Sequence, residues 1–128
     1  MTENEISKIV VDAGLKIHRK LGPGLFESAY EECLVYELEK RGLKVQRQFP
    51  LPLIYDNKII STAYKLDLLV EGKLIVELKT VEELNDLHLA QILTYLRLSN
   101  RNLGLLINFN VDLFKNGIKR VVNGYSKI

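Results

Sequence analysis

Apolar residues recur at helical intervals from the start of the chain. Ile6, Ile9, Val10, Ala13, Ile17 and Leu21 form one stripe, and Thr2 with Glu5 has capping-box spacing. This pattern predicts a helix over about 3–20. Gly22-Pro23-Gly24 ends it, because proline removes a donor and glycine admits unusual backbone angles. A second helix is expected over about 26–41, closed by Gly42, with Phe26, Ala29, Tyr30, Cys33 and Leu34 on one apolar arc. Residues 44–55 then read as extended, and Pro50 and Pro52 make that strand an edge or a bulged one. Asp56-Asn57 signals a turn, 58–62 a segment pairing back, and 63–70 the next strand. Glu71-Gly72-Lys73 turns the chain into the apolar strand Leu74 to Lys79. A third helix is expected over about 85–99, a glycine-bounded strand over Leu103 to Phe109 and a short strand near 117–122. The sum is an α/β fold, a mixed β-sheet flanked by helices.

Composition narrows the class. With 128 residues, 47% hydrophobic and 27% charged, the chain is expected to be one globular domain over residues 1–128. No apolar run approaches the roughly 20 residues of a membrane span. The acidic Met1-Thr2-Glu3-Asn4-Glu5 leads directly into the first helix, which argues against a signal peptide and for a cytoplasmic location. Cys33 is the single cysteine, so an intramolecular disulfide and a cysteine zinc cluster are excluded, and it is expected to be a core thiol. A net charge of +2 does not by itself call for nucleic acid. Basic residues gather at Lys115, Lys119, Arg120 and Lys127 and at Arg41, Lys44 and Arg47, as solvated surface or a phosphate track.

Charge on the apolar strands is the candidate chemistry. Ile75, Glu77 and Lys79 alternate with Leu74, Val76 and Leu78, so a carboxylate and an ammonium share one face of a strand. Asp67 lies ten positions upstream of Glu77. A two-residue loop at Glu71-Gly72 would pair Asp67 with Val76 among leucines, a costly place for an unpaired charge. A three-residue loop puts Asp67 opposite Glu77, and this register is favoured. Like charges across strands then require a cation, a proton or Lys79 between them. Two acidic groups beside a lysine can hold a divalent cation and set a water against a phosphodiester; all-oxygen ligands suit Mg²⁺ or Mn²⁺ better than zinc. The plainer alternative is a Glu77–Lys79 salt pair where the strand meets solvent.

The motif D-x9-E-x-K on a hairpin resembles that of the PD-(D/E)XK nuclease superfamily, whose core is the restriction-endonuclease-like α-β-β-β-α-β fold. Gly24-Leu25-Phe26-Glu27-Ser28-Ala29-Tyr30 is similar to the signature of the GxxExxY family within it. Leu66-Asp67-Leu68-Leu69-Val70, Ile75 to Lys79, Gln91 with Tyr95, and Gly104 to Phe109 extend the resemblance over nearly the whole chain. It implies metal ligation by Asp67, Glu77 and the carbonyl of Leu78. Lys79 would orient the attacking water or stabilise the phosphorane, and Glu27 would complete the acidic cluster. Leu66 stands where the superfamily name has proline.

Glu27 also has a simpler reading as a first-turn carboxylate favoured by the helix dipole, although its register with Leu34 and Leu38 turns it inward. Tyr30 reads as a core aromatic with its hydroxyl at the rim. On the third helix Leu89, Ile92, Leu93 and Leu96 share one arc, with His88, Gln91 and Tyr95 beside it. The resemblance makes Gln91 and Tyr95 candidates for positioning Lys79, a water or a phosphate, whereas His88 reads as a rim histidine and His18 has no evident partner. The expected activity is metal-dependent hydrolysis of nucleic acid, DNA or RNA. The alternatives are a catalytically silent nuclease-fold module that binds nucleic acid or a protein partner, and a homodimer whose acidic pocket is structural. No aromatic stacking platform stands out.

Overall fold

The computed structural model describes residues 1–124. Helices α1 (Glu3–Leu21) and α2 (Glu27–Lys40) precede a hairpin of β1 (Val45–Tyr55) and β2 (Lys58–Val70), then β3 (Leu74–Lys79). Helix α3 (Asp86–Ser99) crosses to β4 (Leu103–Asn108), and a 3-10 turn (Phe114–Gly117) leads into β5 (Ile118–Val122). The sheet has the order β1-β2-β3-β4-β5; β3 and β4 are parallel and the other pairs antiparallel. This is a mixed five-stranded sheet flanked by helices, consistent with the restriction-endonuclease-like core. No helix among the described residues is long and apolar enough to cross a membrane.

The expected capping box forms: Thr2 N–H donates to Glu5 and Glu5 N–H to the Thr2 hydroxyl. The stripe Ile6, Val10, Ala13 and Ile17 then packs with Tyr30, Leu34 and Leu38 of α2 against Leu74, Val76, Leu78, Leu105 and Ile107. Ile92 and Leu96 of α3 cover the opposite face through Leu69, Ile75 and Leu106. Because β3 and β4 are covered on both faces, they are apolar almost throughout, as a central parallel pair requires.

The structure departs from the sequence reading at definite places. Residues 58–70 form one strand instead of two, paired along its length with β1, an edge strand bearing the irregularities that Pro50 and Pro52 suggested. Phe26 lies outside the core, 85% exposed, because it is the extended residue preceding α2. Cys33 is only partly buried. His18 does have a partner, the carbonyl of Val111 at 2.6 Å from Nε2.

One irregularity positions the site. Along β2, Leu68 and Val70 face α1 and α2, yet Leu66 of the same parity joins the α3 cluster. On β1, Val45 packs on the α1/α2 side and Phe49 on the α3 side. Both strands therefore exchange faces between these positions, at Asp67 and its neighbour Gln48. Gln48 carries a φ of 48°, a left-handed angle that breaks strict alternation.

Candidate active site

The hairpin between β2 and β3 uses the three-residue loop Glu71-Gly72-Lys73. Val70 pairs with Leu74, Leu69 with Ile75 and Leu68 with Val76, and continuing that register brings Asp67 opposite Glu77. Backbone pairing stops there. Instead Asp67 N–H donates to Glu77 Oε2 at 2.7 Å, and Leu78 N–H donates to Asp67 Oδ2 at 2.8 Å. Two carboxylates thus occupy the fork where the strands part, each spending one oxygen on a backbone amide of the facing strand. In a strand the N–H and C=O of one residue point the same way, so the Leu78 carbonyl is directed toward this fork as well.

The electrostatics follow from burial. Glu77 is 7% exposed, and burial, followed by the charge of Asp67, raises its pKa to about 8, while the Asp67 N–H and Lys79 act in the opposite sense. Asp67 is half-buried and its pKa also rises, mainly through burial, countered by the Leu78 N–H, Lys79 and the Gln48 side chain. Two carboxylates this close in a poorly solvated fork cannot both ionise without compensation. The pair therefore takes a proton at neutral pH unless a stronger positive charge is supplied. Lys79, half-buried at the end of β3, is the built-in part of that charge.

Glu27 is exposed at the first position of α2, contrary to its expected inward orientation, because the end residue of a helix belongs to its tip more than to a face. Its carboxyl nonetheless senses the site. Partial burial and then the Asp67 charge raise its pKa, and Lys79 lowers it. The signature's other residues explain this placement. Tyr30, stacked on Phe109 with ring centroids 4.4 Å apart, donates its hydroxyl to the Gly22 carbonyl at 2.5 Å and accepts from Leu25 N–H at 3.2 Å. The turn around Gly24 (φ 106°) is thereby fastened to the core, which fixes where Glu27 begins its helix.

Tyr95 is half-buried on α3. Its pKa is raised by burial first, then by Glu77, Asp67 and Tyr64. Gln91, one turn earlier, is exposed in a surface cleft with Tyr95, away from any hydrogen bond to the fork. His88 completes the N-cap of α3, accepting from Asn85 N–H through Nδ1 while its own N–H donates to Asn85.

Three neighbours escaped the sequence reading. Asn108, 1% exposed at the end of β4 and paired with Lys79, binds the Val81 backbone through both amide atoms. It fixes how the chain leaves Lys79. Glu31 adds negative charge at Asp67 and accepts from the Gln48 amide at 2.9 Å. Its i+4 spacing from Glu27 was a usable signal; Gln48 and Asn108 offered none without the register. The basic cluster at Arg41 to Arg47 is partly neutralised, Arg47 pairing with Glu31 and Glu32 at 3.0 and 2.7 Å and Arg41 with Glu37 at 2.5 Å. At the other cluster Arg120 donates to Asn4, and Lys127 lies outside the described residues.

A family model described as the PD-(D/E)XK nuclease superfamily matches residues 4–121. The chain belongs to this superfamily. Neither a curated protein nor a solved structure matches it significantly. Membership in the PD-(D/E)XK superfamily makes a nuclease-type enzyme acting on nucleic acid the coarse assignment, with divalent metals the typical cofactors of that group. Among the described residues no three Asp, Glu, His or Cys side chains converge closely enough to enclose an ion alone. The fork nevertheless fits a hard cation of the Mg²⁺ kind, which needs only one or two carboxylates and fills its remaining positions with water and substrate phosphate. Its donors are all oxygen, and the burial and the Asp67 charge that disfavour an ionised Glu77 are penalties a bound cation would offset.

Proposed function

We propose that this chain is a Mg²⁺- or Mn²⁺-dependent nuclease of the GxxExxY type, hydrolysing phosphodiester bonds in DNA or RNA. The observation that carries the reading is the reciprocal pairing of Asp67 and Glu77 in the fork, with Lys79 beside them. Asp67, Glu77 and the Leu78 carbonyl would hold the ion, with Glu27 at the rim. A bound divalent ion supplies charge against the phosphate and acidifies a water. Lys79 would orient the attacking water and offset negative charge as the water oxygen bonds to phosphorus, gives up its proton to solvent, and the opposite P–O bond breaks. Asp67 stays in place because the Leu78 amide holds it, and Tyr95 and Gln91 line the approach. The leaving oxygen collects its proton from solvent.

The deciding experiment incubates a panel of single- and double-stranded DNA and RNA with Mg²⁺ or Mn²⁺, beside Glu77→Ala and Lys79→Ala. Products from the native chain and none from either folded variant support the reading; equal cleavage by all three proteins ends it. A second reading, a silent module that binds nucleic acid or a protein, is favoured by the exposure of Glu27 outside the carboxylate pair. It predicts salt-sensitive binding without products under either metal.

A further inference from the structure

Beside the fork, between α3 and the β1–β2 ribbon, lies an open cleft of about 350 Å³. Its walls include Leu53 and Tyr64 from the ribbon and Leu87, Gln91, Thr94 and Tyr95 from the helix. Tyr64 is 43% and Leu87 65% exposed, so apolar area stays in contact with water where the neighbouring face of the sheet is fully covered. The face exchange at Gln48 and Asp67 is what turns Tyr64 toward α3. Tyr95 belongs to the cleft and to the surroundings of the fork alike, since Glu77 and Asp67 act on its hydroxyl.

We infer that this cleft seats one unstacked nucleobase of a single-stranded nucleic acid, with the flat ring of Tyr64 as its stacking surface. The inference rests on the nuclease reading for the identity of the ligand and deepens it to a substrate class. A largely apolar cleft of this volume falls within the range of small-ligand sites and suits a π-face, and it is lined by no lysine or arginine that would draw a phosphate into it. Gln91, Thr94 and Tyr95 add an amide and two hydroxyls to the lining, the kinds of donor and acceptor that the edge of a base takes. A base held there leaves its phosphodiester to run past Tyr95 toward Lys79 and the carboxylates. A base inside a duplex is already stacked and cannot enter.

The test titrates Glu77→Gln protein, with and without Mg²⁺, into 12-nucleotide DNA and RNA strands containing 2-aminopurine, and into the same strands as duplexes. Stacking on tyrosine quenches the probe. Quenching with either single strand, much weaker binding of duplex, a loss of roughly tenfold or more with added Tyr64→Ala and near-native binding with Tyr64→Phe are the expected results. The DNA and RNA arms identify the sugar. Tyr64 is on the surface, and unchanged melting temperatures verify that the variants fold. Equal affinity in Tyr64→Ala, equal loss in Tyr64→Phe, equal duplex binding, or a sedimenting dimer dispersed by Tyr64→Ala would overturn the inference. Quenching by a native chain that cleaves nothing in either metal leaves the cleft standing and removes the nuclease reading. Duplex cleavage insensitive to Tyr64→Ala does the reverse.

Discussion

Replacing Glu77 by glutamine should stabilise the metal-free protein, and by an amount set by pH. In the folded chain burial and Asp67 keep a proton on Glu77 up to about pH 8, whereas the ordinary value is 4.5. Between those limits the native state binds a proton that the unfolded state has lost, so stability falls as pH rises. The slope is about 1.4 kcal/mol per pH unit for one proton. The accumulated loss is at most roughly 3 kcal/mol at pH 7 and levels off above the folded pKa at roughly 5 kcal/mol. Glutamine does not titrate, and its carbonyl oxygen can still accept from Asp67 N–H, the bond that Glu77 makes at 2.7 Å. The two proteins should therefore have equal stability below about pH 4.5, the unfolded-state value, and diverge steadily above it. At neutral pH the variant should melt about 10 °C higher. Thermal denaturation in a chelator, followed by circular dichroism from acid to mildly alkaline pH, measures the difference. Parallel curves, or a variant less stable at neutral pH, would refute the argument that this fold resists a charge at Glu77.

Magnesium should close most of that gap at neutral pH, because it favours the ionised carboxylate: at a hundred times its Kd the native chain gains about 2.7 kcal/mol and the Glu77→Gln protein gains much less, read as shifts in melting temperature. Tyr30→Phe removes the hydroxyl that joins Gly22 to Leu25 and should cost about 1–2 kcal/mol in urea denaturation. Asn108→Leu leaves the Val81 and Asn110 N–H groups without their acceptor and the Val81 C=O with the Asn110 amide alone, and should cost roughly 2–3 kcal/mol, with faster amide exchange at Val81. Gly117→Ala would set a Cβ 2.1 Å from the Asn108 carbonyl, forcing backbone to move; a loss of about 3 kcal/mol or more is expected by the same urea measurement.

Much of this was legible in the chain because local rules dominate there. The Thr2–Glu5 box, the helical stripes and the three-residue loop each follow from spacing, and the loop fixed the partner of Asp67. What stayed illegible is a conformation that the residue's type does not announce. Nothing about a glutamine signals the left-handed angle at Gln48, yet that angle turns the ribbon from one face of the sheet to the other. Phe26 and Glu27 were misplaced because helical periodicity loses force at a helix end. The cleft stayed hidden because Tyr64 and Tyr95 meet only through tertiary structure.

The reciprocal bonds in the fork also have a mechanical meaning. Glu77 sits on a strand clamped by β4, opposite Leu106 in the stiff middle of the sheet. Asp67 sits at the root of a two-stranded arm whose tip, with Ile54, Tyr55, Ile59 and Ile60 exposed, extends beyond that sheet. The two carboxylates are therefore mounted differently, Glu77 on a strand held along its length by β4 and Asp67 just past the last pair that ties the β1–β2 ribbon to β3.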